Sequence, residues 1–483
     1  MTIANLVSSM RTEASIISPP IAEQLDRLCN AAVRRWALPG LVVAVSRGGR
    51  LGFVGAYGHR ELFGNSPMNC DTRFHIGSNT KQVTAAAIML LRERTGLSLD
   101  TPISHWFPEA QRFAPHVTVK HLLNHTSGIA SYTEFVDFSM RSVLAVRSRD
   151  VVLEALARPL VFNTGTSWQY NNTGYMALAL IAELVSGTSF HALVQTELLS
   201  RLGLKNSGFI PWDSLGPNLA QAHSSFAFGA ARRAPTWSES WAFGAGDLTA
   251  DAADMLAWGA ALLSGRVVSP ESLEEMTQPT QLADGRLFDY GYGLMATRMN
   301  NGKRVAIHGG GLPGMITQHA QFPDDGLGIA VFANVAPFRD SPLTASIYAA
   351  LTGEEMSAIS LASPADDVKD ERNDERCERW LTAAIAGELD RQCLTREFDR
   401  ELDEHRAAEL IALRRFGQRA PLHFVQGSKR APVTSFVYRC DFERKRALAT
   451  FSLVDGTICD VTFSSDDSLE PDPPTPPARF AST

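Results

Sequence analysis

The chain has 483 residues, 45% of them hydrophobic and 20% charged, with a net charge of -7. That is ample material for a large core and leads to an expectation of two domains, and the acidic balance excludes a general attraction to nucleic acid. No stretch reaches the roughly 18 consecutive apolar residues needed to span a bilayer, so no membrane partner is expected. Residues 1–30 lack a basic start followed by a long apolar run, and no signal peptide is expected. The cysteines, at 29, 70, 377, 393, 440 and 459, form no C-x-x-C pair, which reads as reduced thiols and a cytoplasmic location.

Leu25, Leu28, Ala32 and Trp36 keep helical spacing and predict an amphipathic helix over residues 21–36. Two strands follow, at 41–46 and 51–58, joined through Arg47-Gly48-Gly49-Arg50 as a hairpin. The next segment, His75-Ile76-Gly77-Ser78-Asn79-Thr80-Lys81, opens a helix in which Val83, Ala86, Ala87, Leu90 and Leu91 form one buried stripe and Gly96 supplies a stop. Ser78 and Lys81 share a face of that helix. If burial lowers the lysine pKa, its neutral amine can take the proton that the serine must lose to attack an acyl carbon. The helix N-terminus favours the negative charge that develops there.

His121 and His125 stand four apart on a predicted helix, but no acidic partner is close in sequence, and they are read as structural, with no metal site. Tyr170-Asn171-Asn172 lies in a polar loop before a helix predicted from about 174 to 186 and ended by Gly187. Tyr170 can relay a proton to or from Ser78, and the Asn172 amide can hydrogen-bond a substrate carbonyl. Asn171 reads as a helix cap. Tyr132, Trp241 and Phe243 are candidate substrate contacts, although packing is the commoner fate of aromatic side chains.

Strands are predicted at 292–298, 304–308, 316–322 and 328–333, with Pro323-Asp324-Asp325-Gly326 as a turn. The segment Ile307-His308-Gly309-Gly310-Gly311 falls at the end of the second of these, with its three glycines following the strand. Three glycines let a backbone approach a ligand closely and aim amides at it. The amides of Ser78 and Gly311, with Gly310 beside them, are candidates for an oxyanion hole.

Together these segments resemble the serine β-lactamase and penicillin-binding protein superfamily, whose pattern is S-x-x-K, then Y-x-N or S-x-N, then a K-T-G-like triplet on a strand. Leu122-Leu123-Asn124-His125-Thr126-Ser127-Gly128 and Phe243-Gly244-Ala245-Gly246-Asp247-Leu248 are similar to segments of its class C-like branch. The resemblance covers about residues 20–350. It implies an α/β (α+β) fold, in which an antiparallel sheet is flanked by helices and joined to a helical insertion, with the site in the cleft between them. It also implies acyl transfer through a covalent intermediate: Ser78 attacks an amide or ester carbonyl, Lys81 and Tyr170 move the proton, and no cofactor takes part. Which of Lys81 and Tyr170 is the base stays open.

The chain departs from the pattern at His308, where the superfamily's third motif has a lysine that acts as a fixed cation for a substrate carboxylate. A histidine is mostly neutral at pH 7, and the His-x-Gly form resembles that of D-stereospecific aminopeptidases and esterases. His308 is expected to orient Tyr170 or to touch the substrate. The expected function is hydrolysis of small amides, D-amino-acid peptides or esters, with a small-molecule acyl substrate as the partner and a homo-oligomer possible. Acyl transfer to an alcohol or amine is the alternative. Lower ranked are β-lactamase activity and non-catalytic binding of peptidoglycan-like ligands.

Beyond the hydrolase domain, read as residues 1–357, a linker is expected over 358–375. Residues 376–465 carry helical patterns and then strand-like runs at 422–426, 434–442, 447–453 and 457–463, a small α+β domain that could wall the cleft, make a dimer contact or merely stabilise. The acidic, proline-rich residues 466–483 are expected to be disordered.

Overall fold

The computed structural model describes residues 8–12, 16–62, 66–135, 137–212, 214, 216, 218–356, 368–430 and 433–465. The proline-rich tail and the first ten residues of the expected linker lie outside them.

A sheet of seven antiparallel strands organises the larger part of the chain. Its strands are β1 (Ser8–Thr12), β2 (Gly40–Arg47), β3 (Arg50–Gly58), β4 (Met295–Arg298), β5 (Arg304–Leu312), β6 (Met315–Phe322) and β7 (Leu327–Ala333), in the spatial order β1-β3-β2-β7-β6-β5-β4. The hairpin between β2 and β3 closes as predicted, with Arg47 opposite Arg50. β1 was not predicted. Its sequence, Ser-Ser-Met-Arg-Thr, has no clear alternation of apolar and polar residues, and it is a strand because it pairs along the edge of β3.

The sheet is covered on both faces, and β2 shows how. Leu41, Val43 and Val45 point into a cluster with Leu25, Cys29 and Ala32 of α1 (Pro19–Trp36), while Val42 and Ala44 point into a cluster with α2 (Thr80–Thr95) and α3 (Asn172–Ser186). Side chains alternate between the faces of a strand, so a strand buried on both sides reads as a continuous apolar run rather than an alternation. Helix α4 (Ala252–Leu263) lies on the second face against β2, β6 and β7, and α5 (Ser341–Thr352) packs beside α1 on the first. Leu25 is fully buried, and its truncation to Ala would cost about 2–5 kcal/mol.

The fold is therefore α/β in the expected sense, mixed helices on an antiparallel sheet. The sequence reading ended the second late strand at His308. The structure carries β5 four residues further, through all three glycines to Leu312, because Gly309, Gly310 and Gly311 pair with Gln318, Thr317 and Ile316 of β6.

The C-terminal residues build a third cluster. Helix α6 (Glu371–Ala386), capped by Asp370, starts within the charged stretch expected as linker, and with α7 (Glu404–Ala412) it covers a four-stranded antiparallel sheet, β8 (His423–Arg430), β9 (Val433–Arg439), β10 (Ala447–Val454) and β11 (Thr457–Ser465). Trp380, Leu381, Phe436 and Phe451 are buried between helices and sheet. One excursion of the larger unit joins this cluster. Phe226 meets Phe463 at 6.0 Å between ring centroids, Phe228 meets Phe416 at 5.9 Å, and the Arg415 guanidinium donates to the Phe228 carbonyl at 2.6 Å.

Among the described residues no single helix is long and apolar enough to cross a membrane.

Candidate active site

Ser78 sits in a single 3-10 turn, Gly77–Asn79, that leads directly into α2, half-buried at the mouth of the helix. Gly77 holds a φ of +54°, and a Cβ there would lie 3.0 Å from the Gly311 amide nitrogen. Only glycine combines that left-handed backbone with so close a neighbour. The turn is fastened to the sheet by buried hydrogen bonds: Thr317 donates its hydroxyl to the Ile76 carbonyl at 2.8 Å, and Asn79 donates its amide to the Thr317 hydroxyl at 3.0 Å. The serine is thereby pressed against the glycines of β5.

Lys81, one helical turn on, is fully buried, and its amine touches three oxygens. It lies 2.7 Å from Asn172 Oδ1, 2.8 Å from the Ala245 carbonyl and 3.2 Å from Ser78 Oγ. Burial drives its pKa well below the ordinary lysine range, and the Asp247 carboxylate offsets this only in part. A neutral amine has two N–H bonds and one lone pair. The Asn172 and Ala245 oxygens can only accept, so they take the two hydrogens, and the lone pair is left facing the Ser78 hydroxyl.

Asn172 is held for this task by its place at the start of α3, where the Asn171 side chain caps the helix by accepting from Gly174 N at 2.7 Å. The sequence reading gave the Asn172 amide to a substrate carbonyl. Instead its oxygen is engaged by Lys81, and its nitrogen points to Thr133 Oγ1 at 3.3 Å. Tyr170, just before the cap, lies with its ring centroid 4.8 Å from the Lys81 nitrogen. It packs on His125 at 4.5 Å between centroids. His125 in turn accepts from Asn171 N through Nδ1 at 3.1 Å, and His121 Nδ1 accepts from Thr118 N at 3.1 Å, so each of these histidines has a structural bond.

His308 is buried in β5 and held near pKa 3, mainly by burial and secondarily by Lys81. Its Nδ1 donates to the Gly309 carbonyl at 2.6 Å, because a carbonyl can only accept; Nε2 is therefore the acceptor for the Tyr290 hydroxyl at 3.0 Å. The residue that His308 bonds is Tyr290, not Tyr170, whose ring lies 6.1 Å away between centroids. Gly310 packs so closely on the nucleophile turn that a methyl group there would overlap the Ile76 carbonyl oxygen.

The structure thus brings Ser78, Lys81, Tyr170, Asn172, His308, Gly310 and Gly311 to one cleft. Sequence reasoning missed the Ala245 carbonyl, although it had singled out that segment, and the Tyr290 hydroxyl. Tyr132 and Trp241 are buried against each other at 5.7 Å between centroids, and Phe243 packs on Phe190 at 5.6 Å, so packing occupies all three.

This fold and this cleft define an active-serine protein of the class C-like type. Residues 25–354 match the family model described as Beta-lactamase, and the chain belongs to that family. It is 32% identical over 213 residues to the esterase EstB of Burkholderia gladioli, covering 41% of this chain and 54% of that protein. It is 25% identical over 321 residues to a D-aminopeptidase of Gluconobacter oxydans (strain 621H), covering 66% of this chain and 60% of that protein. The chain spans between about half and two thirds of the length of these curated relatives. Among solved structures, a D-stereospecific amidohydrolase from a Streptomyces species superposes with a TM-score of 0.59 at 27% identity, over 69% of this chain and 99% of that one.

Proposed function

We propose that this protein is a serine hydrolase that cleaves small amides, D-amino-acid peptides or esters through an acyl-enzyme on Ser78. The observation that carries the reading is the arrangement of Lys81, whose two hydrogens are committed to Asn172 and Ala245 and whose lone pair faces Ser78 Oγ. As Oγ bonds to the substrate carbonyl carbon, its proton passes to Lys81, and Tyr170 beside that amine hands a proton to the leaving group as the C–N or C–O bond breaks. Water attacks the ester in the reverse sense and frees the acid. The amides of Ser78 and Gly311 are the donors for the oxyanion of both tetrahedral intermediates.

The choice of substrate rests on His308 and on the relatives. A neutral ring bonded to Tyr290 supplies no cation for a carboxylate next to the scissile bond, which disfavours penicillins. An esterase, a D-aminopeptidase and a D-stereospecific amidohydrolase stand among the similar proteins. The same proposal takes residues 1–357 as the hydrolase domain and 376–465 as an accessory one. A cytoplasmic setting is also part of it, supported by all six cysteines being free thiols.

The test is a panel of p-nitrophenyl esters, D- and L-aminoacyl amides and nitrocefin, with and without added amines or alcohols. Ser78-dependent release from esters or D-amides, with nitrocefin untouched, supports the reading. Acceptors that accelerate acyl release and capture the product would make the protein a transferase instead.

A further inference from the structure

A cavity of about 320 Å³, which none of Ser78, Lys81 and Tyr170 lines, is bounded by neighbours in sequence of the site residues. His75, three residues before Ser78, forms one part of its wall, and Leu312, the residue after Gly311, forms another. The volume is at the lower end of the range for small-molecule pockets.

The wall is unusual in its polar atoms. His75 is only 6% exposed, and its Nε2 has no hydrogen-bond partner among the described residues; the same holds for the buried Arg60 Nε and Trp212 Nε1. Buried polar atoms are nearly always bonded, so three left over in one cavity point to a ligand. Two of them are N–H donors. Arg60 and Arg233 both line this space, and neither makes an ion pair among the described residues. Glu61, which accepts from the Ser66 hydroxyl, is the one carboxylate in the wall. Leu219, Leu312, Met315 and Trp237 give the wall its apolar part, and Ser214, Gln221 and Thr236 add neutral polar groups. His75 itself meets the space as a neutral ring, since burial holds it near pKa 4 and its Nδ1 is bonded to Thr249 Oγ1 at 2.8 Å.

We propose that this cavity is the subsite for a carboxylate carried on a short apolar arm of the substrate, held by the guanidinium of Arg60, the Trp212 N–H and Arg233. The assignment rests on the hydrolase reading above and narrows it. Where the superfamily pattern has a lysine cation beside the reacting carbonyl, this chain has the neutral His308, and its unpaired cations stand further along the cleft. An acid-ended acyl group would thus be recognised by its far end.

Two measurements test this. The first needs no turnover: calorimetry of phenylacetate on the Ser78→Ala protein. Saturable binding is expected, at least about tenfold weaker for phenylacetamide and at least about tenfold weaker for phenylacetate on the Arg60→Gln protein, as loss of a charge-assisted hydrogen bond implies. Equal binding of acid and amide, or no binding, overturns the subsite. Should Arg60→Gln fail to fold, Arg233→Gln, altered at an exposed position, serves the same comparison. The second compares kcat/KM for the p-nitrophenyl monoester of glutaric acid with that for p-nitrophenyl valerate. The acid-ended ester should be preferred by about tenfold or more, and Arg60→Gln should erase that preference. Binding without such a preference overturns the link to catalysis. If neither ester is cleaved through Ser78, the hydrolase reading fails, while calorimetry still judges the cavity.

Discussion

The Lys81 amine and the Asn172 side-chain oxygen stand 2.7 Å apart, and that one contact decides which way the amine presents its lone pair. Asn172→Asp replaces a neutral acceptor with a carboxylate at the same distance. An anion there favours the ammonium form and raises the Lys81 pKa. The base needs the neutral amine, so the acid limb of kcat/KM against pH should lie well below the ordinary lysine range in the natural protein and move to higher pH in Asn172→Asp. Each unit of displacement lowers activity on that limb about tenfold. A profile that is the same in both proteins would show that Lys81 is not the titrating base.

Stability should fall in mild acid. His75 and His319 are both buried with pKa values near 4, against 6.5 for a free ring. Below 6.5 the unfolded chain takes up protons that the folded chain refuses, so the contribution is complete above pH 6.5 and is lost as pH falls towards 4. At pH 5 each ring costs about 2 kcal/mol relative to neutral pH. Denaturant unfolding at pH 7 and pH 5 checks this. His319→Gln, which keeps a polar group near Gln82 and Gln321, should lose about 2 kcal/mol less between the two pH values than the natural protein.

Gly310→Ala should damage the site more than a single methyl group suggests. Its Cβ would meet the Ile76 carbonyl and the Thr317 hydroxyl, the groups that fasten the nucleophile turn to the sheet. A shift of about 1 Å in a reacting group can cost about 100-fold in rate. Ester turnover should fall by that order, with the far-ultraviolet circular dichroism retained. Unaltered turnover would mean that the turn is not held by this contact.

The C-terminal unit is expected to act on substrate size through one loop. The strand pair His223–Ser224 and Arg232–Arg233 flanks the excursion whose tip, with Phe226 and Phe228, is set into that unit, and residues on both arms, Ala222 and Arg233, line the cavity bounded by His75 and Leu312. Phe228→Ala should cost about 2 kcal/mol, less than the 3–5 kcal/mol of a fully buried ring. It should raise KM for the glutaric monoester while kcat/KM for p-nitrophenyl acetate stays within about twofold. Equal effects on both esters would reduce the unit to a stabilising role.

What the sequence disclosed and what it hid follow from the range of the interactions. Ser78 and Lys81 are legible because one helical turn brings them together, and Tyr170 with Asn172 because they flank a helix cap. The β2–β3 hairpin is equally local. The partners that define the chemistry are not local: Ala245 lies 164 residues from Lys81, and only the fold brings its carbonyl to the amine. Tyr290 reaches His308 because β4 and β5 pair and carry the segment before β4 alongside. The glycine triplet looked like a loop because glycine favours turns, yet pairing with β6 makes it strand. Tyr132 and Trp241 could have lined a cleft or filled a core, and composition does not separate those outcomes.

The central claim is that Ser78 is the nucleophile and Lys81 its base, and covalent labelling tests it most directly. A fluorophosphonate followed by mass spectrometry of the digested protein should add one adduct, on the peptide bearing Ser78. The adduct should vanish in Ser78→Ala and form about 10²- to 10⁴-fold more slowly in Lys81→Ala, the range for loss of a proton-transfer group. A label on another residue, or labelling at the natural rate without Lys81, would contradict the account.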